Sequence, residues 1–365
     1  MNLLIPNLGS TSLKYQILEM PSERVLARGR LERVTNYREA IEQIAIADTP
    51  IDGVVFKAVH AGPRYQGTFL VDDALLAAME EFLPAAPAHN AIYLNAIRAF
   101  QQAMPGVPLV AAFETEFHST RPEYAARYGV PPEWSETYGI RKYGFHGASH
   151  RFVGERTAEL LGKPASQLRV ISCHLGGSSS ICAIERGRSI DTTMGFSPQS
   201  GLENATRHGD IDVFAVLFMM ERRGWSLDEV RRELTRNGGL AGLSGIAGGD
   251  VRDLEKAAAE GSANAALALD TLAYEVRKTI GAFAAAMGGV DAVAFAGGIG
   301  ENSPRLRALC CQGLEFLGLR LDPERNERGS GERILSPEGA TIAALTVATN
   351  EELIVARRAF RILTK

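Results

Sequence analysis

Residues 169–187, RVISCHLGGSSSICAIERG, run from an apolar stretch through a glycine turn rich in small hydroxyls into an alternating strand. Alternation of apolar and polar residues marks a half-buried strand, and two such runs around a short Gly-containing tip make a β-hairpin. Residues 3–20, LLIPNLGSTSLKYQILEM, follow the same plan. The copies lie about half the chain apart, which points to two related halves, each opening with a hydroxyl-tipped hairpin. Outward from the hairpins, strands alternate with helices. Residues 73–104 read as a helix, a break at Pro84 to Pro87, and a second helix. PLVAAFETEF (108–117) is an apolar strand ending in acids, and 189–212 is loop-rich. Residues 226–236 begin with a capping box, Ser226 and Glu229, and read as an exposed helix. Residues 263–287 are apolar at helical spacing. DAVAFAGG (291–298) is a buried strand running into a glycine turn, with a helix over 304–318. The strand of 341–350 hands over to a helix at 351–363. This alternation defines an α/β protein with mostly parallel or mixed sheets.

Composition bounds the function. At 365 residues the chain exceeds what one hydrophobic core usually organises, so two domains are expected. It is 45% hydrophobic and 22% charged, ordinary globular usage that excludes a disordered or fibrous chain. The net charge is −4 and the Lys and Arg residues are scattered, so no nucleic-acid footprint stands out. No apolar run nears the roughly 18 residues of a membrane span, and the first residues lack the pattern of a secretion signal. Cys173, Cys182, Cys310 and Cys311 have no metal-site spacing, which fits a reduced, cytoplasmic compartment.

Four glycine runs border apolar segments: 8–10, 174–180, 237–249 and 296–302. Glycine turns after strands let backbone approach a ligand, commonly phosphate, although each alone also reads as an ordinary turn. Asn7, Ser10, Ser12 and Lys14 share the first hairpin, and His174, Gly176 and Gly177 the second. All seven histidines lie between residues 60 and 208. His146 and His150 are four apart, which on a helix would suggest zinc, but the flanking glycines favour a loop and a hydrogen-bond donor to developing negative charge. Glu114 and Glu116 end a strand, where carboxylates for catalysis or Mg²⁺ sit, or simply solubilise an edge. Arg207 and Asp210 occupy a polar loop, and Glu351 opens the last helix. AGGIGEN (296–302) matches neither a dinucleotide fingerprint nor a P-loop. Together these groups describe two phosphate-binding hairpins, a Gly-rich nucleotide wall, carboxylates for Mg²⁺, and Arg and His for an anionic transition state.

NLGSTSLKYQ, FETEFHSTRPE, YGFHGASH, MGFSP, AGGIGENS with LDPERN, and TNEEL together resemble the acetate kinase family, within the actin, sugar-kinase and heat-shock ATPase group. The resemblance implies an α/β fold of two ribonuclease-H-like domains around a central cleft. Their expected extents are 1–116 plus 352–365, and 117–351. It also implies a homodimer and ATP-dependent phosphorylation of a short carboxylate, acetate first and propionate second, to an acyl phosphate. Carried onto matching positions, Asn7 and Glu351 would hold Mg²⁺, and Ser10, Ser12 and Lys14 would lie near the phosphates. His146 and Arg207 would stabilise the transferring phosphoryl group, with His89 and His174 around it. Gly176, Gly177, Asp250, Arg252, Gly298, Ile299, Gly300 and Asn302 would line the nucleotide side. Val59, Phe145 and Pro198 would enclose the acid's alkyl end.

Several positions depart from the family pattern. Lys57 replaces an arginine, keeping the charge without the bidentate fork. Glu114 stands for an aspartate near the metal, Gly177 for an asparagine, and Ala88 for a larger pocket residue. With Lys57, Glu114 and Gly177 all near the phosphoryl-transfer centre, the alternative to an active kinase is a weakened nucleotide-binding paralogue that acts through domain closure or a partner.

Overall fold

Both hairpins form, and each starts a six-stranded sheet. The computed structural model describes residues 1–9, 12–34, 36–45 and 49–365, with backbone only at Ala45 and Ala88. Ser10, at the first hairpin tip, and the Ala88 side chain therefore lie outside the described residues. The first sheet contains β1 (Asn2–Leu8), β2 (Ser12–Glu19), β3 (Arg24–Glu32), β4 (Gly53–Phe56), β5 (Thr68–Leu70) and β6 (Leu109–Ala112), in the order β3-β2-β1-β4-β6-β5. The second contains β7 (Arg169–His174), β8 (Ser180–Glu185), β9 (Arg188–Thr192), β10 (Ala292–Ala296), β11 (Arg333–Ile334) and β12 (Ala343–Thr346), in the order β11-β12-β10-β7-β8-β9. In both, the first three strands form an antiparallel meander, the first strand then pairs parallel with the fourth, and one antiparallel strand closes the far edge. The halves thus share one topology, as the paired hairpins suggested.

Apolar side chains cover both faces of each sheet. On one face of the first sheet, Leu4, Val54, Phe56 and Ala111 pack against Ile41, Ile44, Leu75, Met79, Ile97 and Phe100 from three helices. On its other face, Leu3, Ile5, Val55 and Val110 meet Ile354, Val355 and Ala359 of helix Glu351–Leu363, so the end of the chain returns to the first sheet. Helix Ala263–Ala286 covers one face of the second sheet through Leu269, Leu272, Val276 and Ile280. Helix Gly147–Leu160 lies against the other, with Val153 and Ala158 beside Val170, Ile184 and Leu345. Each fully buried aliphatic side chain contributes about 1.5–3 kcal/mol relative to exposure, so these layers dominate the stability.

Several elements are shorter than read: the strand expected over 108–117 ends at Ala112, and that over 341–350 spans only Ala343–Thr346. The helix expected over 304–318 stops at Cys311, because Gly313 and Gly318 take left-handed φ of 83° and 94°, leaving a short turn at Glu315–Leu317. The 189–212 segment begins as the last four residues of β9. The capping box forms as read, Ser226 Oγ accepting from the Glu229 N–H and Glu229 accepting from the Ser226 N–H. All four cysteines are buried and unpaired. Among the described residues, no helix is long and apolar enough to cross a membrane.

Candidate active site

Two backbone hydrogen bonds hold the centre of the site together. Lys57 and Glu114 leave the C-terminal ends of β4 and β6, neighbouring parallel strands, where α/β proteins place ligands. The Glu114 N–H donates to Ala58 O at 2.9 Å, and the Gly147 N–H donates to Glu114 O at 3.1 Å. A Cβ at Gly147 would lie 2.1 Å from that carbonyl, so only glycine permits the approach. His146, just before it, takes a left-handed φ of 56° as N-cap of helix Gly147–Leu160. Lys57, Glu114 and His146 are thereby delivered to one place.

They line a cavity of about 250 Å³ together with the polar residues Asn7, His89, Tyr93, Ser178 and Arg207 and the apolar residues Leu8, Val59, Phe145 and Pro198. Residues from both halves contribute. Burial would discharge the Lys57 ammonium, but Glu351, with which it forms an ion pair, and then Glu114 outweigh that and raise its pKa. For Glu351 burial again opposes ionisation, but Lys57 and then His174 prevail and hold it below the usual carboxylate range. Glu114 is only 4% exposed, and among the described residues neither carboxylate oxygen has a hydrogen-bond partner. Burial pushes it up to about 7 against the pull of Lys57. A buried carboxylate without partners is costly, and at a cleft it marks a place for a ligand or cation. Arg207 Nη1 donates to Pro198 O at 2.7 Å, and burial lowers its pKa to about 10, still cationic at neutral pH. His89 is lowered to about 4 by burial, then by Arg207 and Lys57. The His146 and His174 rings stack with centroids 4.5 Å apart.

The second hairpin tip extends the site along the second sheet. Leu175 O accepts from the N–H groups of Ile299 and Gly300 at 2.9 and 3.1 Å, setting Gly176 against Gly298 in the short helix Gly297–Asn302. Gly177 O accepts from the Ala205 N–H at 3.0 Å, and Gly249 packs on Ala205 O, where a Cβ would stand 2.1 Å away. The next residue, Asp250, caps helix Val251–Ala259 and pairs with Arg252 at 2.6 Å. Asn302 Nδ2 donates to Gly298 O at 2.9 Å. These segments form one continuous glycine-lined wall.

Other sequence expectations fall differently. Lys14 is exposed and lines a separate groove of about 370 Å³ with Arg28, Arg30 and Glu352; Asn7 borders both spaces. Asn7 Nδ2 donates to Glu352 Oε1 at 3.3 Å rather than to Glu351. Ser12 opens β2. Glu116 turns away from the cavity, accepting from Thr68 Oγ1 at 2.8 Å and pairing with Arg358. The loop expected at 146–150 is instead a helix start, with His150 inside it. Both ring nitrogens of His146 and of His150 face serine hydroxyls, and no cluster of three metal-ligating side chains occurs among the described residues. The zinc reading therefore falls. The sequence reading missed Tyr93, one helical turn after His89 on helix Pro87–Ala103, and Ser178, which lay within the quoted hydroxyl tip. The i, i+4 spacing from His89 was the signal for Tyr93.

Two sheets of the same topology, with a cleft lined from both halves by Lys, Arg, His and Glu side chains, define a phosphotransferase of the actin-like ATPase fold. A family profile described as the Acetokinase family matches residues 38–357. The acetate kinase of Caldanaerobacter subterraneus subsp. tengcongensis is 43% identical over 98% of both chains. Crystal structures of acetate kinase from Porphyromonas gingivalis (34% identity, 99% of both chains) and a propionate kinase from Francisella tularensis (30%, 98% of both) superpose with a TM-score of 0.89 each. The chain belongs to the acetokinase family, whose members are kinases with a carboxylate as phosphoryl acceptor. Full-length similarity and a cavity that gathers Lys57, Glu114, His146 and Arg207 support an active kinase over a weakened nucleotide-binding paralogue.

Proposed function

We propose that the protein transfers the γ-phosphoryl group of ATP to a short-chain carboxylate, acetate first and propionate second, giving an acyl phosphate and ADP reversibly. The lining of the cavity carries this reading: apolar Val59, Phe145 and Pro198 share one small space with the two cationic groups Lys57 and Arg207 and with His146. A volume of about 250 Å³ suits a small acid. A carboxylate is already ionised at neutral pH, so one of its oxygens attacks the γ-phosphorus without a base while the bond to the β–γ bridging oxygen breaks. Positioning and charge neutralisation then supply the acceleration. In this reading Lys57 and Arg207 neutralise the acid and the equatorial oxygens, His146 donates a hydrogen bond to them, and His89 and His174 flank it. Ser12, at the start of β2 beside the first hairpin tip, is assigned to the phosphates, and the wall from Gly176 to Asn302, with Asp250 and Arg252, holds the nucleoside.

The unpartnered Glu114 carboxylate, the ionised Glu351 and the Asn7 amide oxygen make an oxygen-only donor set that fits Mg²⁺. Asn7 and Glu351 would hold the ion with Glu114 beside it. Mg²⁺, when bound, neutralises charge on the β- and γ-phosphoryl oxygens of ATP. We assign residues 1–116 plus 352–365 to one domain and 117–351 to the other, supported by the return of the last helix to the first sheet. Helix Val213–Arg223 has no buried residue and exposes Phe214 by 73% and Phe218 by 54%, which supports a homodimer contact there. Four unpaired cysteines suit the cytoplasm.

Acyl phosphate trapped with hydroxylamine, from MgATP and acetate, propionate or butyrate in parallel, tests the reading. Turnover is expected with acetate and propionate, and slower turnover with butyrate. No product from any acid, with ATP still bound, would sink it.

A further inference from the structure

Behind His146 a file of buried groups leads from the cleft into the second half of the molecule. His146 Nδ1 lies 2.8 Å from Ser180 Oγ, which lies 2.7 Å from His150 Nε2, and His150 Nδ1 lies 2.8 Å from Ser172 Oγ. Ser172, Ser180 and His150 are fully buried, so bulk water does not enter the accounting. The neighbouring ring is backed the same way, with His174 Nδ1 at 2.7 Å from Ser149 Oγ, itself fully buried.

A buried hydroxyl proton without an acceptor costs about 1–3 kcal/mol, whereas an idle oxygen lone pair is tolerated more readily. Among the described residues Ser172 Oγ has one hydrogen-bond partner, His150 Nδ1, so it satisfies its proton only by donating there. His150 must then carry its own proton on Nε2 and donate to Ser180 Oγ. Ser180 has one other partner, His146 Nδ1, and donates its hydrogen bond to that nitrogen. His146 is left with its proton on Nε2, the atom 3.0 Å from Ser178 Oγ on the cavity wall. Reversing the file strands the Ser172 proton. The same reasoning makes Ser149 donate to His174 Nδ1.

We propose that Ser172, His150 and Ser180 are positioning residues that lock His146 as a neutral Nε2–H donor facing the transferring phosphoryl group, and that Ser149 does the same for His174. What the donor meets rests on the phosphoryl-transfer reading above; the tautomer does not. Two rings stacked at 4.5 Å resist simultaneous charging, and burial, then the neighbouring histidines, hold His146 well below its ordinary pKa. A donor already carrying its proton has only to exchange Ser178 Oγ for a phosphoryl oxygen as charge develops.

The test uses the full chain labelled with ¹⁵N in its histidine rings, read by long-range ¹H–¹⁵N correlation at neutral pH, with His146→Gln assigning the signal. Wild-type His146 should show a pyrrole-type Nε2 and a pyridine-type Nδ1. Ser172→Ala, outside the cleft, should mix the His146 tautomers and lower kcat about tenfold, while KM for the acid moves by less than about twofold. Ser172→Thr should restore both. An Nδ1–H tautomer or an imidazolium in the wild type overturns the proposal, and so does an unchanged His146 spectrum in Ser172→Ala. If that variant does not fold, the wild-type spectrum decides alone. The expected tautomer in a protein that forms no acyl phosphate would uphold the lock and remove the kinase reading instead.

Discussion

Arg207 and Glu114 show how burial acts on opposite charges within one cavity. Arg207 loses solvation yet stays cationic, with one Nη group committed to Pro198 O and no other hydrogen bond from its fork among the described residues. Arg207→Ala should lower kcat about a hundred- to a thousandfold, the usual loss for one transition-state donor, while calorimetry finds ATP affinity nearly unchanged. Glu114 is the reverse case, a carboxylic acid whose pKa burial raises to about 7 from 4.5. Its folded form binds a proton more tightly than its unfolded form, so in metal-free buffer its contribution to stability is complete below about 4.5 and is lost as pH rises through about 7. Glu114→Gln should flatten that decline, seen as a thermal midpoint that falls less than the wild type's over this window. Equal slopes would mean that Glu114 does not titrate there. Lys57, His146 and Arg207 were legible because each lies in a distinctive motif, but the sequence could not separate Glu114 from Glu116. Two residues apart on a strand they would share a face; the chain instead turns into a short 3₁₀ helix at Glu116–Thr120, and the second acid swings to Arg358.

At the level of elements, glycines decide how closely segments approach. Gly147→Ala should force its helix away from Glu114 O, destabilise the fold by about 1–3 kcal/mol and remove most activity. Gly281, inside helix Ala263–Ala286 with open space where its Cβ would stand, gives the opposite expectation. Gly281→Ala should stabilise by about 0.5–1 kcal/mol in denaturant unfolding and leave kcat unchanged. The hairpins and long helices were legible because their periodicities run over many residues. The start of helix Gly147–Leu160 was not, since Gly144 and Gly147 imitate a loop. Gly144 does take a left-handed φ of 78°, but Gly147 is there for its missing Cβ. That distinction depends on a carbonyl more than thirty residues earlier in the chain.

Across the whole molecule, two sheets of one topology face a shared cleft, so the chemistry needs both halves in register. Lys57 and Glu114 come from the first, Ser178 and Arg207 from the second, and Glu351 opens the helix that returns to the first. The apolar helix Val213–Arg223 makes a separate expectation: Phe214→Glu with Phe218→Glu should halve the mass seen in sedimentation equilibrium, and a monomeric wild type would refute the dimer. The duplication was legible in the repeated hairpins. The convergence of Ser178, Tyr93 and the buried serines on the histidines was not, because it depends on how the halves meet. The central claim is transfer of phosphate to a carboxylate, and the direct measurement is the ratio of ADP released to acyl hydroxamate trapped with MgATP and acetate. One ADP per hydroxamate, with both products lost in Arg207→Ala, is the expected result; ADP released without hydroxamate, or at the same rate without any acid, would contradict it.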